Sequence, residues 1–347
     1  MTLFHRILRS NFLIKLRSWE YWPFGIVQAP IFIYWLWLSA KARSFLFFSA
    51  SNPGILTGGM FGESKFEVLK KIPDEYKPKG FLIKQGTPSH EILKQIAANS
   101  FNYPVIFKPD LGERGWMVKK IKSKEEAEQY IAKCSWDFIV QEYVHLPYEF
   151  SVFYSRHPDQ ASGKVSSVTM KKMLTIEGDG SSTLEQLILA KDRAKLQWEV
   201  LQVTFANRLH EVPAKGTVIE LVPIGNHCLG TTFLNHNHLI TPELSNSFDK
   251  LSKQVDGFYF GRYDLRAASF EDLEKGKVKV MELNGCGAEP SHIYHPGASF
   301  FRAVADLFVH WRTIYAISAA NHKKGVPYLS LKEGIQIFKR FKAVTSS

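Results

Sequence analysis

The sequence predicts a mixed α+β fold, and three observations support this prediction. Beyond residue 60, short apolar runs alternate with amphipathic stretches, a pattern typical of strands and helices that share one core. The chain has 347 residues, of which 45% are hydrophobic and 22% charged, so it can bury a core and is not a disordered tail. Its three cysteines show no CxxC or Cys/His spacing, which excludes a disulfide framework and a zinc ribbon.

The net charge of +11 is concentrated near the N-terminus. Residues 1–60 contain a single acid, Glu20, and six basic residues: Arg6, Arg9, Lys15, Arg17, Lys41 and Arg43. The rest of the excess is spread thinly, with no arginine-rich run and no recognised nucleic-acid module. The sequence therefore argues against nucleic-acid binding, whereas a small positive surplus is typical of a phosphate-binding enzyme.

The first sixty residues differ from the rest of the chain. Between residues 21 and 40, Gln28 and Ser39 are the only clearly polar side chains. A helix of this length can cross a ~30 Å hydrocarbon layer, but proline and glycine at positions 23, 25 and 30 should break or kink it. Tryptophans flanked by cations favour a helix in the headgroup region of a membrane instead. Membrane-surface attachment, a packed cap and a true span are the three alternatives.

The first candidate binding feature is a strand that leads into a glycine-containing loop. A predicted helix at residues 90–98 precedes a strand at 103–109 that contains Lys108, and the next loop contains Gly112 and Gly115. Such a loop suits nucleotide phosphates, because glycines let backbone N–H groups approach the oxygens and the lysine supplies a charge. A surface lysine before a hairpin is the alternative.

Two acidic residues bracket the next predicted pair of strands. Glu142 lies in the strand at residues 138–144, and Glu149 follows seven residues later. These acids can accept from an adenine amino group and from ribose hydroxyls, while the backbone of Tyr143 and Val144 offers a donor and an acceptor to the base edge. An edge strand with solvated carboxylates is the alternative.

Three oxygen-bearing side chains lie on two later predicted strands. Asp264 is expected near the end of one strand and Glu282 near the end of the other, and Asn284 shares a face with Glu282 because side chains alternate with period two. Carboxylate and amide oxygens are the ligands that Mg²⁺ prefers when nucleotide phosphates complete its octahedron. A metal would also offset the cost of burying the carboxylates.

The order of these features resembles the ATP-grasp superfamily, and within it the D-alanine–D-alanine ligase and cyanophycin synthetase type of carboxylate–amine ligase. Residues 177–188 are similar to the GDG-x-ST-x-x-x-LI passage of cyanophycin and glutathione synthetases. The resemblance covers roughly residues 62–310 and rests on motifs in the same order: Lys65 in GESK, Lys108 in PVIFKP, the loop 111–115, Glu142 with Glu149, Asp264 in GRYDLR, and Glu282 with Asn284.

The resemblance implies an ATP site with two Mg²⁺ ions, for which Mn²⁺ can substitute. It assigns the phosphates to Lys65, Lys108 and the loop from Gly112 to Gly115, adenine to Glu142, Tyr143 and Val144, and the ribose to Glu149. The implied metal ligands are Asp264, Glu282 and Asn284. Arg262 would stabilise the transferred phosphoryl group, and Lys171 or Lys172 would reach the γ-phosphate, with Lys172 chosen as the catalytic lysine.

The fold that the resemblance implies is two α+β subdomains that grip ATP, with the aromatic N-terminal segment in place of the usual Rossmann-like domain. The expected divisions are 1–60 for that segment, 61–150 for the small subdomain and hinge, 151–320 for the large subdomain with the metal site, and 321–347 for a C-terminal tail.

The implied activity is an ATP-dependent carboxylate–amine ligase, or carboxylate–thiol ligase, that forms an acyl phosphate and releases ADP and phosphate. Its substrates would be a small-molecule acid and amine, and its location the cytoplasm, peripheral to the inner face of the membrane through residues 1–50. A catalytically silent ATP-binding module that tethers or regulates at a membrane surface is the alternative, and phosphate transfer without ligation is a third hypothesis.

Two departures from the ligases fall on the acceptor side. The aromatic segment stands where the ligases have a Rossmann-like domain, and residues 285–296 replace their Ser/Thr-Pro-Gly turn. D-alanine is therefore not expected as the substrate. Glu289, His292 and His295 are candidates for recognising an amine or orienting a substrate carboxylate, and the alternative is that they only stabilise a proline-bounded loop.

Overall fold

Two antiparallel β-sheets, each covered by helices, form the frame of the protein in the computed structural model, which describes residues 10–113 and 115–345. The predicted α+β class is therefore confirmed. The strands are β1 (Gly80–Ile83), β2 (Val105–Pro109), β3 (Lys119–Ile121), β4 (Phe138–Glu142), β5 (Tyr148–Ser155), β6 (Lys164–Lys172), β7 (Thr175–Glu177), β8 (Val218–Glu220), β9 (Thr232–Asn235), β10 (Phe260–Ala267) and β11 (Val278–Asn284). The helices are α1 (Asn11–Arg17), α2 (Phe24–Ala42), α3 (Lys65–Lys70), α4 (Ser89–Ala98), α5 (Lys124–Ile131), α6 (Leu184–Ala190), α7 (Asp192–Lys195), α8 (Trp198–Thr204), α9 (Pro242–Lys253), α10 (Phe270–Glu274), α11 (Phe300–Lys323) and α12 (Leu331–Thr345).

The smaller sheet has the strand order β1-β4-β2-β3. Val105 and Phe107, two positions apart on β2, are fully buried, as the period of two predicts for one face of a strand. They share a core with Ile92 and Ile96 of α4 and with Tyr130 of α5. The predicted helix at residues 90–98 thus packs on the sheet through its apolar side.

The larger sheet has the order β11-β10-β5-β6-β9, and all its neighbouring strands are antiparallel. Its core contains Phe150 of β5, Tyr263 of β10 and Phe248 of α9. A third, two-stranded sheet joins β7 to β8.

The predicted division at residues 61–150 is wrong at both ends. Val68 and Leu69 of α3 are buried in the core of the larger sheet rather than the smaller one. Residue 150 lies inside β5, all of which pairs with strands of the larger sheet. Both segments belong to the larger sheet because of contacts with residues far away in the chain. The local sequence pattern does not predict such contacts.

The segment 321–347 is also not a tail over its described part. α11 extends to Lys323, and α12 follows with Phe341 buried. A Cβ atom placed on Gly62 would lie 3.7 Å from the Phe341 Cβ, and Val344 packs against the core of the smaller sheet. Apolar residues three or four positions apart in α12 could have predicted that this segment is an amphipathic helix with one buried side.

The N-terminal segment packs as a cap on α11. Ile31 of α2 and Leu307 of α11 lie buried in one cluster. α2 is unbroken from Phe24 to Ala42, so the expected break at Pro30 does not occur. Proline removes one backbone donor, and the carbonyl that loses this partner belongs to Ile26, an exposed residue. No helix within residues 10–113 and 115–345 is long and apolar enough to cross a membrane.

The cap leaves one side of α2 uncovered. A helix that is apolar around its whole circumference is normally buried on all sides. Here the side opposite the buried Val27, Ile31 and Leu38 exposes large apolar side chains: Ile26, Phe32, Ile33, Leu36 and Trp37.

Candidate functional site

Lys108 connects the two sheets at the centre of the candidate site. It lies on β2 and is 6% exposed, and its Nζ donates to the side-chain oxygen of Gln141 (3.0 Å) and to the carbonyl of Met281 on β11 (2.8 Å). Burial lowers the pKa of Lys108 to about 8, against the opposing effect of the Glu282 charge. A buried ammonium group between two sheets is suited to an anionic ligand.

A β-bulge makes the contact with Lys108 possible. Asp264 is opposite Glu282, but the next residue, Leu265, is opposite Val280, so Met281 is the extra residue on β11. A bulge releases backbone groups from the ladder and redirects the neighbouring side chains. The Met281 carbonyl is therefore available to Lys108, a contact that no residue type in the sequence predicts.

Asp264 lies at the centre of a buried network of charges. Its Oδ1 accepts from Ser151 Oγ (2.5 Å) and lies 3.2 Å from Lys171 Nζ, and its Oδ2 lies 3.1 Å from Arg262 Nη2. Burial raises the pKa of Asp264, but Arg262 and Lys171 outweigh burial and hold the pKa below its usual range. The structure therefore brings Arg262 and Asp264 together, as the motif predicts.

The three candidate metal ligands lie on the neighbouring strands β10 and β11. Asn284 is opposite Arg262, and its amide nitrogen lies 3.2 Å from Asp264 Oδ2. Two carboxylates and an amide oxygen fit a hard cation, which would share Asp264 with Lys171 and Arg262. No group of three or more His, Cys, Asp or Glu side chains within residues 10–113 and 115–345 could hold a metal ion, and the candidate set contains only two carboxylates beside the amide of Asn284.

Lys171, and not Lys172, joins this network. The Lys171 side chain is 6% exposed and its Nζ lies 3.3 Å from Glu149 Oε1, whereas Lys172 is exposed on the surface. Burial disfavours the charge, but Asp264 and Glu149 together raise the pKa of Lys171 above its usual value. The choice of Lys172 as the catalytic lysine is thus corrected, because adjacent strand residues point to opposite faces.

Glu149 is bound by a second cation that the sequence prediction did not select. Arg266 Nη2 lies 3.0 Å from Glu149 Oε2, and Arg266 Nη1 donates to the Val144 carbonyl (3.0 Å). Residues 262, 264 and 266 alternate on β10, so period two was the signal that places Arg266 with Arg262 and Asp264. The Arg266 guanidinium group therefore joins Glu149, the acid predicted to bind the ribose, to the backbone of Val144, which is predicted to bind adenine.

The predicted adenine-binding residues lie at the exposed end of β4. The Glu142 carboxylate accepts from the Lys79 N–H (3.2 Å), and the Tyr143 ring lies 3.9 Å from Lys120 Nζ. A cavity of about 220 Å³ is lined by both residues together with Tyr103. Glu142 thus ends β4, and Tyr143 and Val144 follow it in the connection to β5.

Lys65 and the glycine loop also meet. Lys65 Nζ donates to the Gly112 carbonyl, and the start of α3 is held by Asp110, whose Oδ1 accepts from the Phe66 N–H (2.9 Å). Gly115 has a φ of 74° and lies beside Asn226 of the larger domain, with an added Cβ 3.3 Å from the Asn226 amide nitrogen. Gly115 therefore lies against residues 224–229.

The loop at residues 285–296, called the acceptor loop below, holds its three candidate residues, Glu289, His292 and His295, apart from one another. His292 contacts Ser167 Oγ (2.8 Å) and Asp306 Oδ2 (3.2 Å) through its two ring nitrogens, and burial lowers its pKa. His295 Nδ1 accepts from the Asn235 N–H (3.2 Å). Both histidines are thus engaged in positioning the loop, whereas the Glu289 carbonyl accepts from Arg262 Nη1 (3.1 Å) and so lies beside the charge network.

Comparison with known proteins finds no matching family model and no matching curated protein. Among solved structures, the chain is similar to the VanG D-Ala:D-Ser ligase from Enterococcus faecalis, at 15% identity and a TM-score of 0.43, over 74% of this chain and 64% of that one. It is similar to a bifunctional glutathione synthetase from Pasteurella multocida, at 14% identity and a TM-score of 0.38, over 71% of this chain and 36% of that one.

A third similar structure is the D-alanine–D-alanine ligase from Bacillus anthracis, at 14% identity and a TM-score of 0.40, over 78% of this chain and 72% of that one. The chain spans less than two thirds of the length of the first two structures.

Proposed function

We propose that this protein is an ATP-dependent carboxylate–amine ligase. The observation that carries the proposal is the buried network of Lys171, Asp264 and Arg262, which lies beside Lys108 where the two sheets face each other. Such a set of fixed charges is costly to bury unless a ligand or partner group uses it. The network can stabilise the charge that develops when a phosphoryl group is transferred.

The roles of the binding residues follow from their positions. Lys108 and Lys65 bind phosphate oxygens, and the hinge residues Glu142, Tyr143 and Val144 bind the base. Asp264, Glu282 and Asn284 would hold Mg²⁺, which neutralises phosphate charge when it is bound. Before Mg²⁺ binds, Lys171 and Arg262 keep Asp264 ionised and oriented.

The proposed reaction has two steps. A substrate carboxylate oxygen attacks the γ-phosphorus of ATP, and the bond to the leaving ADP breaks to give an acyl phosphate. The nitrogen of an amine then attacks the acyl carbon, loses a proton, and displaces phosphate. Arg262 lies where it can stabilise the negative charge of both steps, and donors of this kind contribute ~2.7–4 kcal/mol each.

The proposal is tested by giving the purified protein ATP, Mg²⁺ and pooled amino acids, then measuring ADP and searching for amide products by mass. ADP release that depends on a carboxylate is expected. ADP formed without any carboxylate would point to phosphate transfer, and no ADP would point to the silent binding module.

A variant separates binding from turnover. Arg262→Ala should keep nucleotide binding, measured by calorimetry, and lose about 10²–10³-fold in kcat. Normal turnover in this variant would contradict the assignment.

We also propose that the uncovered side of α2 docks on an anionic membrane surface. Phe32, Ile33 and Trp37 are 58%, 69% and 53% exposed, and exposed cations at positions 15, 17, 41 and 43 accompany them. The single acid of residues 1–60, Glu20, is turned inward with a side chain 7% exposed. Apolar groups beside uncompensated cations complement the headgroups and the acyl boundary of an anionic bilayer.

A further inference from the structure

A cavity of about 470 Å³ lies where the end of α2 meets the connection from α11 to α12. Its walls are residues 43–46, His322, residues 327–330 and Leu331, the first residue of α12. Pockets that bind small molecules usually have volumes of ~300–1,000 Å³. None of the residues assigned above to ATP, to a metal or to the acceptor loop lines this cavity, so it is a separate candidate site.

The charge of the cavity is positive. Arg43 lines it, and no acidic side chain does so within residues 10–113 and 115–345. The lysines at positions 323 and 332, next in sequence to two of the lining residues, are exposed. One acid nearby in sequence, Glu333, accepts from the Ser330 hydroxyl (2.6 Å) and so belongs to the N-terminal cap of α12. A cavity with this charge favours an anionic ligand.

Arg43 has a backbone conformation that glycine usually adopts. It ends α2 with a φ of 54°, and its N–H donates to the Ala40 carbonyl (3.1 Å). A side chain in this left-handed region costs conformational energy, and such costs are common at functional sites. The Arg43 guanidinium group has no ion pair and no hydrogen bond in the described part of the chain. Neither feature stabilises the folded protein by itself, whereas an anionic ligand would give the side chain a partner.

His322 and Tyr328 form a second polar part of the wall. Their rings are stacked with centroids 3.9 Å apart, and His322 Nδ1 lies 2.8 Å from the Val326 carbonyl oxygen. A carbonyl oxygen only accepts hydrogen bonds, so the hydrogen is assigned to Nδ1. Nε2 has no partner among the described residues. It is therefore the ring nitrogen that can donate to an anion when the ring is protonated.

Apolar side chains connect the cavity to the uncovered side of α2. Phe45 and Leu331 line the cavity, and both are exposed. The Phe45 ring lies 6.0 Å from the Trp35 ring, and Trp35 in turn is stacked on Phe32 with centroids 5.4 Å apart. Phe32 belongs to the exposed side of α2 that is proposed to dock on a membrane. The cavity therefore lies beside that docking surface.

α12 continues the exposed apolar surface beyond the cavity. Leu331, Ile335 and Phe338 are exposed and lie on one side of the helix, since they are four and three positions apart. Gly334 and Phe341, on the neighbouring side, are buried. Exposed lysines at positions 332, 339 and 342 accompany them. Part of the apolar side of α12 is thus used for packing, and the rest is exposed together with cations, as on α2.

We propose that this cavity binds the phosphate group of an anionic phospholipid, which Arg43 and His322 contact while the apolar part of the lipid lies on Phe45 and Leu331. The choice of a lipid rests on the proposed docking of α2 at an anionic membrane. A guanidinium group binds a phosphate through two parallel hydrogen bonds, which are strong because both groups are charged. Exposed apolar walls on both sides of the cation favour a lipid over a free phosphate.

The test uses calorimetry with the full chain and three probes. Dihexanoyl-phosphatidylglycerol, kept below its micelle concentration, supplies the phosphate and two short chains without a membrane. Glycerol phosphate supplies the charge alone, and dihexanoyl-phosphatidylcholine supplies the same chains with no net charge. The first probe should bind at least about tenfold more tightly than either of the others. Equal affinities for the first two probes would indicate a site for free phosphate and overturn the lipid proposal.

Two variants of Arg43 separate binding from folding. Arg43→Gln removes the charge, and Arg43→Gly suits the left-handed backbone, so Arg43→Gly should not lower the free energy of unfolding. Both should lose about tenfold or more in affinity for dihexanoyl-phosphatidylglycerol, the size of one lost hydrogen bond to a charged group. Arg17→Gln removes the same charge from the exposed surface of α1 and is the matched control, expected within about twofold of the wild type.

Vesicle flotation distinguishes this proposal from the docking proposal. A wild type that floats with anionic vesicles but does not bind the short-chain lipid would overturn the cavity proposal and leave the docking intact. An Arg43→Gly variant that binds this lipid as tightly as the wild type would do the same. A wild type that neither floats nor binds the short-chain lipid would overturn both proposals.

Discussion

Lys171 and Lys172 are neighbours of the same type, and only their direction on β6 separates them. The resemblance to the ligases implies that one of them reaches the γ-phosphate. The alternation of side chains along a strand predicts that they point to opposite faces of the sheet, but it does not predict which face carries the candidate site. The register of β6 with β5, in which Lys171 is opposite Glu149, makes that choice.

Replacing the two lysines one at a time tests this assignment. Lys171→Met should abolish most ADP formation, because Glu149 and Asp264 lose the cation between them and the phosphate site loses a charge. Lys172→Met should leave ADP formation within about twofold of the wild type, as is usual for an exposed side chain. The reverse order of activities, measured with a coupled ADP assay, would return the role to Lys172.

Glu20 allows a prediction about pH. Burial raises its pKa, but hydrogen bonds and charge from His227 and Arg193 outweigh burial and lower the pKa below its usual value. A carboxyl whose folded pKa is lowered adds stability above its unfolded pKa of ~4.3, and this contribution is lost as the pH falls.

The free energy of unfolding of the wild type should therefore exceed that of Glu20→Gln at neutral pH, and the gap should shrink between about pH 5 and pH 3. Urea denaturation at several pH values measures it. Glu199→Gln, at an exposed acid on α8, is the control. A gap that is constant over this range would contradict the ion-pair role of Glu20.

At the scale of elements, the acceptor loop is held by backbone contacts that require glycine. The Cys286 N–H donates to the Gly58 carbonyl (3.0 Å), and the Gly287 N–H donates to the Gly59 carbonyl (2.9 Å). A Cβ atom on Gly285 would lie 2.3 Å from the Gly58 carbonyl oxygen, so the two chain segments would have to separate. These contacts set the position of the loop that carries Glu289.

Gly285→Ala should lower the free energy of unfolding by about 1–3 kcal/mol and reduce amide formation, because the loop must shift. Gly25→Ala is a matched control in α2: no atom lies within 4 Å of its added Cβ, and alanine favours helix, so stability should rise by up to about 1 kcal/mol. Denaturant midpoints measure both changes. Similar losses in the two variants would argue against the close contact at Gly285.

At the scale of the whole molecule, the N-terminal segment has two sides: one contacts the candidate site, and the other is exposed. Gln28 and Glu20 face the acceptor loop and its neighbours, while Phe32, Ile33 and Trp37 face outward. Docking on a membrane through the outward side would therefore bring the loop at residues 285–296 close to the bilayer surface.

Vesicle flotation tests the docking. The full chain should float with vesicles that contain phosphatidylglycerol and much less with pure phosphatidylcholine, since the cations need anionic headgroups. The double substitution Phe32→Ser and Ile33→Ser should reduce flotation more than tenfold, because each inserted side chain contributes ~1.5–3 kcal/mol. Val200→Ser with Val203→Ser, which are exposed at 61% and 75% on α8, is the control. Equal flotation of the two double variants would exclude docking through α2.

Much of the fold and the candidate site was predictable from local sequence. Strand periodicity placed Lys108, Glu142, Asp264 and Glu282 on strands, and the α+β class followed from the alternation of helix and strand patterns. The subdomain boundaries were not predictable, since α3 and β5 are assigned by the core they enter. The unbroken α2 was missed because the carbonyl that Pro30 leaves without a helical donor belongs to Ile26, an exposed residue, where the loss costs least.

The sequence by itself determined which chemical groups the chain carries and in what order, because motif residues and the alternation along a strand are local properties. Only the tertiary structure decided which of those groups meet: the bulge that gives Met281 to Lys108, the register that selects Lys171, and the turn of the cap that brings Gln28 to Glu289. The physical reason is that these contacts join residues far apart in the chain. They form where packing of the two sheets and the cap excludes water from both partners at once.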